Sequence, residues 1–78
     1  MEGDQMNISI EYCAEWHYDP KAVSLAKALK KRYDVDAKLI ASSGGVFEVV
    51  KDNELIYSKK ATGRFPDESE IFAKIDGE

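Results

Sequence analysis

Cysteine and histidine are the scarcest chemistry-bearing residues in this chain: one of each, Cys13 and His17, in 78 residues. Without partner cysteines there is no internal disulfide framework, which excludes a stapled secreted miniprotein. One thiol and one imidazole cannot close a four-ligand structural zinc site. Long apolar runs are missing too. The longest uncharged stretch, Leu39 to Phe47, falls far short of the roughly 20 apolar residues of a membrane helix. Positive charge is in deficit, with eleven Lys and Arg against fifteen Asp and Glu and a net charge of −4. Nucleic-acid modules usually carry a basic footprint, so that class is not expected. Glu2 and Asp4 stand where a signal peptide carries positive charge. Cytoplasmic is the expected location, with no membrane partner.

What is present suits one small globular domain. Hydrophobic residues make up 44% and charged residues 33%, ordinary proportions for such a fold. A chain of this length buries only about 60–65% of its unfolded surface, enough for one sheet and two helices. The expectation is a frayed end over 1–6 and a single domain over 7–78.

Polar and apolar residues alternate from Asn7 to Tyr12, setting Ile8, Ile10 and Tyr12 on one face of a strand. An aromatic-rich loop follows, from Cys13 to Tyr18. Asp19-Pro20 reads as a helix start, with Asp19 capping and Pro20 at the first helical position. Ala22, Leu25, Ala26, Leu29 and Tyr33 then recur at helical spacing, and Lys30, Lys31 and Arg32 suit the negative end of the helix dipole. Ala37 to Ala41 predicts a short strand, interrupted by Ser42-Ser43-Gly44-Gly45. Val46–Val50 and Leu55–Ser58 predict a hairpin about Asp52-Asn53. Lys59 to Phe65 reads as a basic connector. Pro66 and the acids after it open a second helix that turns Ile71, Phe72 and Ile75 inward. The order β-α-β-β-β-α predicts a four-stranded mixed sheet with two helices, its first two strands parallel through a right-handed crossover. This is the layout of the thioredoxin-like core. A split β-α-β ferredoxin-like sheet is the nearest competitor, and it places a hairpin strand between the first two.

Cys13 sits where the first strand gives way to the loop before the first helix. A thiol there is within the influence of a helix N-terminus, which favours the thiolate. His17, if protonated nearby, adds to that effect, whereas Glu11 and Glu15 oppose it. The plain alternative is a small buried hydrophobe at a strand end.

Several blocks around this point resemble the selenoprotein W-like (Rdx) family. They are Ile10-Glu11-Tyr12-Cys13, the Tyr-x-Pro-x-Ala of Tyr18 to Ala22, Gly44 to Val49, Leu55 to Lys59, and Gly63-Arg64-Phe65-Pro66. Their order and spacing cover the chain from about Asn7 to Ile75. The resemblance implies a thioredoxin-like fold, redox activity, and a Cys-x-x-Cys or Cys-x-x-selenocysteine motif with a glutathione-linked oxidoreductase role. Cys13 matches the first position of that motif and Trp16 the second. A resolving thiol is therefore absent from the chain, and dithiol chemistry, which needs one, is not expected. A selenocysteine codon differs from that of Trp by one base, so Trp16 is also what a misread or replaced codon leaves.

Two readings follow. In one, Cys13 is a catalytic monothiol exchanging with glutathione or a partner protein, the external thiol resolving the adduct. In the other, the domain is a non-catalytic interaction module using Tyr12, Trp16 and Tyr18. Trp16, His17, Tyr18, Gly44 and Gly45 are the candidate substrate- or partner-binding residues. Gly44-Gly45 stands where thioredoxin-like proteins present a cis-proline loop to their substrate. Trp16 as core cover and Trp16 as exposed patch are both open. Lys59, Lys60 and Arg64 form a solvated face or a site for a glutathione carboxylate, and Glu48 is placed to pair with Tyr57 across the hairpin. No metal or bound cofactor is expected. A monomer is the expected state, with a Cys13-linked dimer as a third possibility.

Overall fold

The computed structural model describes Met6 to Gly77. Seven elements follow in order: β1 (Ile8–Cys13), α1 (Asp19–Tyr33), β2 (Lys38–Ser42), β3 (Phe47–Lys51), β4 (Glu54–Ser58), α2 (Lys59–Thr62) and α3 (Glu68–Ile75). The strands form one sheet in the order β2-β1-β3-β4. β1 runs parallel to β2 and antiparallel to β3, and β4 closes the hairpin antiparallel to β3. No hairpin strand lies between β1 and β2, so the thioredoxin-like arrangement holds and the ferredoxin-like competitor does not.

Strand alternation sorts the sheet into two faces. Ile8, Ile10, Phe47, Val49 and Tyr57 are buried on one of them and meet Ala22, Leu25 and Leu29 of α1 and Ile71 and Ile75 of α3. Each large side chain so buried contributes roughly 1.5–3 kcal/mol. Ser9, Glu11, Glu48 and Val50 occupy the other parity and stay half-buried. β2 is an edge strand, and its Leu39 and Ile40 are exposed.

The ends are fixed locally. Asp34 takes the left-handed conformation that stops α1, with its N–H on the Lys30 carbonyl. Asp52 and Asn53, at φ 51° and 71°, make the hairpin turn, the pair of positive angles that matches strand twist. Asp67 and Glu70 form a reciprocal capping box at the start of α3. At the far ends of the helices, the Tyr33 hydroxyl donates to Asp76 Oδ1 at 2.8 Å and Arg32 Nη2 to Asp76 Oδ2 at 3.2 Å.

Several expectations shift. The stretch expected as a plain connector contains a third helix, the single turn α2, because Ser58 Oγ accepts the Ala61 N–H and Gly63 closes the turn at φ 81°. Asp19 does not cap α1; Tyr18 is the N-cap residue and Asp19 and Pro20 fill the first turn. Glu48 pairs with Ser58 rather than Tyr57, accepting its hydroxyl at 2.6 Å. Tyr57 opposes Val49, turns into the core and donates to the Arg64 carbonyl at 2.7 Å. The expected frayed end falls outside the described residues except for Met6, which packs against the core. Among the described residues no helix is long and apolar enough to cross a membrane.

Candidate functional site

β1 ends at Cys13, and two loops hold that end from either side. The Cys13 N–H donates to the Val46 carbonyl at 2.9 Å, and the Ala14 N–H to the Ser42 carbonyl at 2.9 Å. The chain then doubles back. His17 N–H reaches the Ala14 carbonyl at 3.2 Å and Tyr18 N–H the Cys13 carbonyl at 3.1 Å, with His17 in the left-handed region at φ 61°. This tight turn delivers a backbone donor to the sulfur: Trp16 N–H lies 3.3 Å from Cys13 Sγ. Sequence reasoning looked to the N-terminus of α1 for that donor, whereas the recorded donor belongs to the turn. Cys13 itself has no exposed surface.

Trp16 spans the gap between the two loops. A Cβ added to Gly45 falls 2.6 Å from Trp16 Cζ3, so the indole rests against backbone that only glycine leaves clear. The outer part of the ring faces solvent, and the residue is 59% exposed. Gly44 has no such neighbour within 4 Å. The structure thus brings Cys13, Trp16, Tyr18 and Gly45 together and leaves Gly44 beside them. His17 is exposed, and its side chain has no hydrogen-bond partner among the described residues.

The aromatic grouping differs from the one expected. Trp16 meets Tyr18 edge to face at 6.1 Å, Tyr18 meets Phe65 at 4.7 Å, and Phe65 meets Phe47 at 5.3 Å. A string of rings therefore runs from the solvent to the core. Tyr12, grouped with Trp16 and Tyr18 from sequence, packs against the core instead, and Phe65 takes its place. The missed signal was an isolated aromatic in a connector of Gly, Pro and basic residues, where an exposed loop has no use for one.

The basic stretch divides into unlike parts. Arg64 grips Glu70 with two bonds of 2.6 and 2.7 Å. That guanidinium holds the Glu70 carboxyl down at about 2. Lys59 lies 5.6 Å from the centre of the Tyr18 ring and 5.4 Å from that of Phe65, within cation–π range. Lys60 is exposed. Among the described residues no three His, Cys, Asp or Glu side chains are grouped to hold a metal ion.

A sequence model of the Rdx family matches residues 7–77. The chain belongs to the Rdx family. It is similar to "Migration and invasion enhancer 1" of Mus musculus and of Bos taurus, 29% identical to each over 76 residues. Those matches take in 94% of this chain but 64% of either relative. A selenoprotein W-related protein from Vibrio cholerae superimposes with a TM-score of 0.82 at 21% identity, over 94% of this chain and 95% of that one. A structural-genomics protein of Bordetella parapertussis does so with a TM-score of 0.85 at 21% identity, over 92% and 95%. These solved structures establish the fold. The chain is thus a selenoprotein W-like Rdx protein of thioredoxin-like fold.

Proposed function

We propose that this Rdx domain performs single-thiol exchange through Cys13. The observation that supports it best is the Trp16 N–H at 3.3 Å from Sγ, a donor aimed where negative charge sits on an attacking thiolate. In the first step the Cys13 thiolate attacks one sulfur of oxidised glutathione or of a protein disulfide. A new Cys13–sulfur bond forms, the old disulfide breaks, and the leaving thiolate takes a proton from water. An external thiol then attacks the mixed disulfide and returns Cys13. Trp16 holds the position where a dithiol protein keeps its second thiol, so the resolving thiol comes from outside the chain. The reducing cytoplasm supplies thiols of that kind.

Cys13 has no exposed surface, and reactive cysteines are ordinarily part-exposed. Exchange therefore depends on the turn from Ala14 to Tyr18 lifting, with Trp16 leaving Gly45. The domain works as a monothiol protein whose thiol is reached only through an opening of that turn.

Mass spectrometry after incubation of the native chain with oxidised glutathione tests this. A glutathione adduct on Cys13, removed again by reduced glutathione, is the expected result. Labelling that occurs only after unfolding sinks it. That second outcome favours an interaction module, a reading supported by the 59% exposure of Trp16, since tryptophan is enriched at binding hot spots. A band at twice the monomer mass on a non-reducing gel identifies a Cys13-linked dimer.

A further inference from the structure

The sheet carries its packed helices on one face only. The buried residues of α1 and α3 all join the core cluster, and α2 buries none. Paired residues of neighbouring strands share a face, so the register fixes what stands on the other one. From β2 to β4, one row reads Ile40, Glu11, Glu48, Ser58 and the next Lys38, Ser9, Val50, Leu55. Ile40 and Leu55, on the two edge strands, are 38% and 54% exposed, and Val50 is half-buried.

The middle of this face holds two carboxylates side by side. Glu11 and Glu48 stand directly opposite each other, with Cβ atoms about 4.5–5.5 Å apart in such a pair, and like charges so placed destabilise a sheet. The Ser58 hydroxyl donates to Glu48 Oε2 at 2.6 Å. Among the described residues neither carboxylate has a cation within ion-pair distance. A face built only for water gains nothing from bulky apolar residues at both edges or from repulsion at its centre.

Together these features select an occupant. A second copy stacked face to face sets four carboxylates against one another, and a purely apolar segment leaves the pair unneutralised. A helix with a central Arg and apolar residues flanking it meets both needs. A guanidinium has five N–H donors in a fixed fork, enough to serve two carboxylates. Residues three and four positions from that Arg share its side of the helix and fall toward Ile40 on one hand and Val50 and Leu55 on the other. Helices are also the usual second layer on an apolar sheet face.

We infer that the open face of the sheet is a docking surface for a basic amphipathic helix of a partner protein. Glu11 and Glu48 share one Arg of that helix, and Ile40, Val50 and Leu55 meet its flanking apolar residues. The surface is separate from the exposed Trp16 and stands whether or not Cys13 exchanges.

The probe is an alanine-rich helical peptide of about 18 residues, with one central Arg, a Leu four residues before it and another three after it. It is titrated into the full chain while backbone amide shifts are followed by NMR. Shifts centred on Glu11, Ile40, Glu48 and Leu55 with millimolar affinity are expected. Gln in place of the peptide's Arg, or Glu11→Gln in the chain, each weakens binding about fivefold, the size of one exposed charge pair. Glu68→Gln, at the start of α3 beyond the other face, changes nothing. Urea unfolding of Glu11→Gln without peptide gives a second readout: relief of repulsion raises the midpoint above the parent's, and a midpoint at or below it overturns the inference. So do an absence of shifts at millimolar peptide, equal binding of the Gln peptide, and an equal loss in Glu68→Gln. The same shifts on concentrating the chain alone assign the face to a second copy and overturn the inference as well.

Discussion

On the helix-covered face of the sheet, Ile8, Ile10, Phe47, Val49 and Tyr57 bury one another beneath α1 and α3, whereas on the opposite face the same strands carry Ser9, Glu11, Glu48 and Val50 half-exposed. By alternation Cys13 belongs to the second face, yet it is fully buried, and it stands outside the cluster formed by the core residues. The two kinds of burial differ in cause. Core residues are hidden by interlocked side chains from four elements or more, and opening them means unfolding the domain. Cys13 lies between two loops joined by a few backbone hydrogen bonds and by one indole resting on a glycine. Loops of that kind open locally at a free energy well below that of global unfolding. A thiol can therefore be absent from the surface and still be reached.

Substitutions on the two faces should separate these causes. Phe47→Ala has the largest expected effect, a loss of about 3–5 kcal/mol against the 5–15 kcal/mol of a typical domain. Circular dichroism in urea is expected to show a chain largely or wholly unfolded. A midpoint near that of the parent places the core elsewhere. Gly45→Ala comes next, because a side chain at φ 74° that also meets the indole costs on the order of 1–2 kcal/mol. It should displace Trp16 and speed alkylation of Cys13 in the folded protein. Gly44→Ala, at φ 80° with open space around it, carries the backbone cost without the faster alkylation. Equal alkylation rates in the two variants break the claim that Trp16 closes the loops.

Trp16→Ala is expected to change stability by about 1 kcal/mol or less, the worth of one edge-to-face ring contact. Cys13 labelling should nevertheless rise several-fold over the parent, measured with iodoacetamide under native conditions. The smallest effect belongs to the ion pair of Arg64 and Glu70, whose side chains are 55% and 32% exposed. Glu70 titrates at about 2 when folded and at 4.5 ordinarily. The folded state thus holds the proton less tightly, and the pair stabilises fully above the ordinary value and loses its effect as pH falls toward 2. Glu70→Gln keeps a capping-box side chain while removing the charge. The melting difference between parent and variant should be constant above about pH 5 and vanish on acidification. A difference that persists at low pH assigns it to lost packing instead.

The strands, the long helix and the sheet order were legible in the sequence because period-2 and period-3.6 patterns are local and strong in this chain. The Asp52-Asn53 turn was legible for the same reason: few residue pairs accept two positive φ angles. What escaped was set by contacts distant in sequence. α2 is a single turn held by Ser58 and Gly63, too short to show a period. Phe65 joins Tyr18 and Phe47 across some 47 and 18 positions of chain, and no local pattern announces that. At the site, the motif position of Cys13 could be read from its neighbours. Its complete burial could not, because the loops that meet there, joined where Trp16 rests on Gly45, come from separate parts of the chain.

Trp16 in the place of a second thiol also sets a clock. In a two-thiol protein an adduct clears itself in one intramolecular step, so its lifetime is a property of the fold. Under the proposed single-thiol exchange an adduct on Cys13 lasts until a thiol arrives from solution, and its lifetime shortens as free thiol becomes more abundant. Under that proposal the occupied fraction of Cys13 follows the ambient ratio of thiol to disulfide.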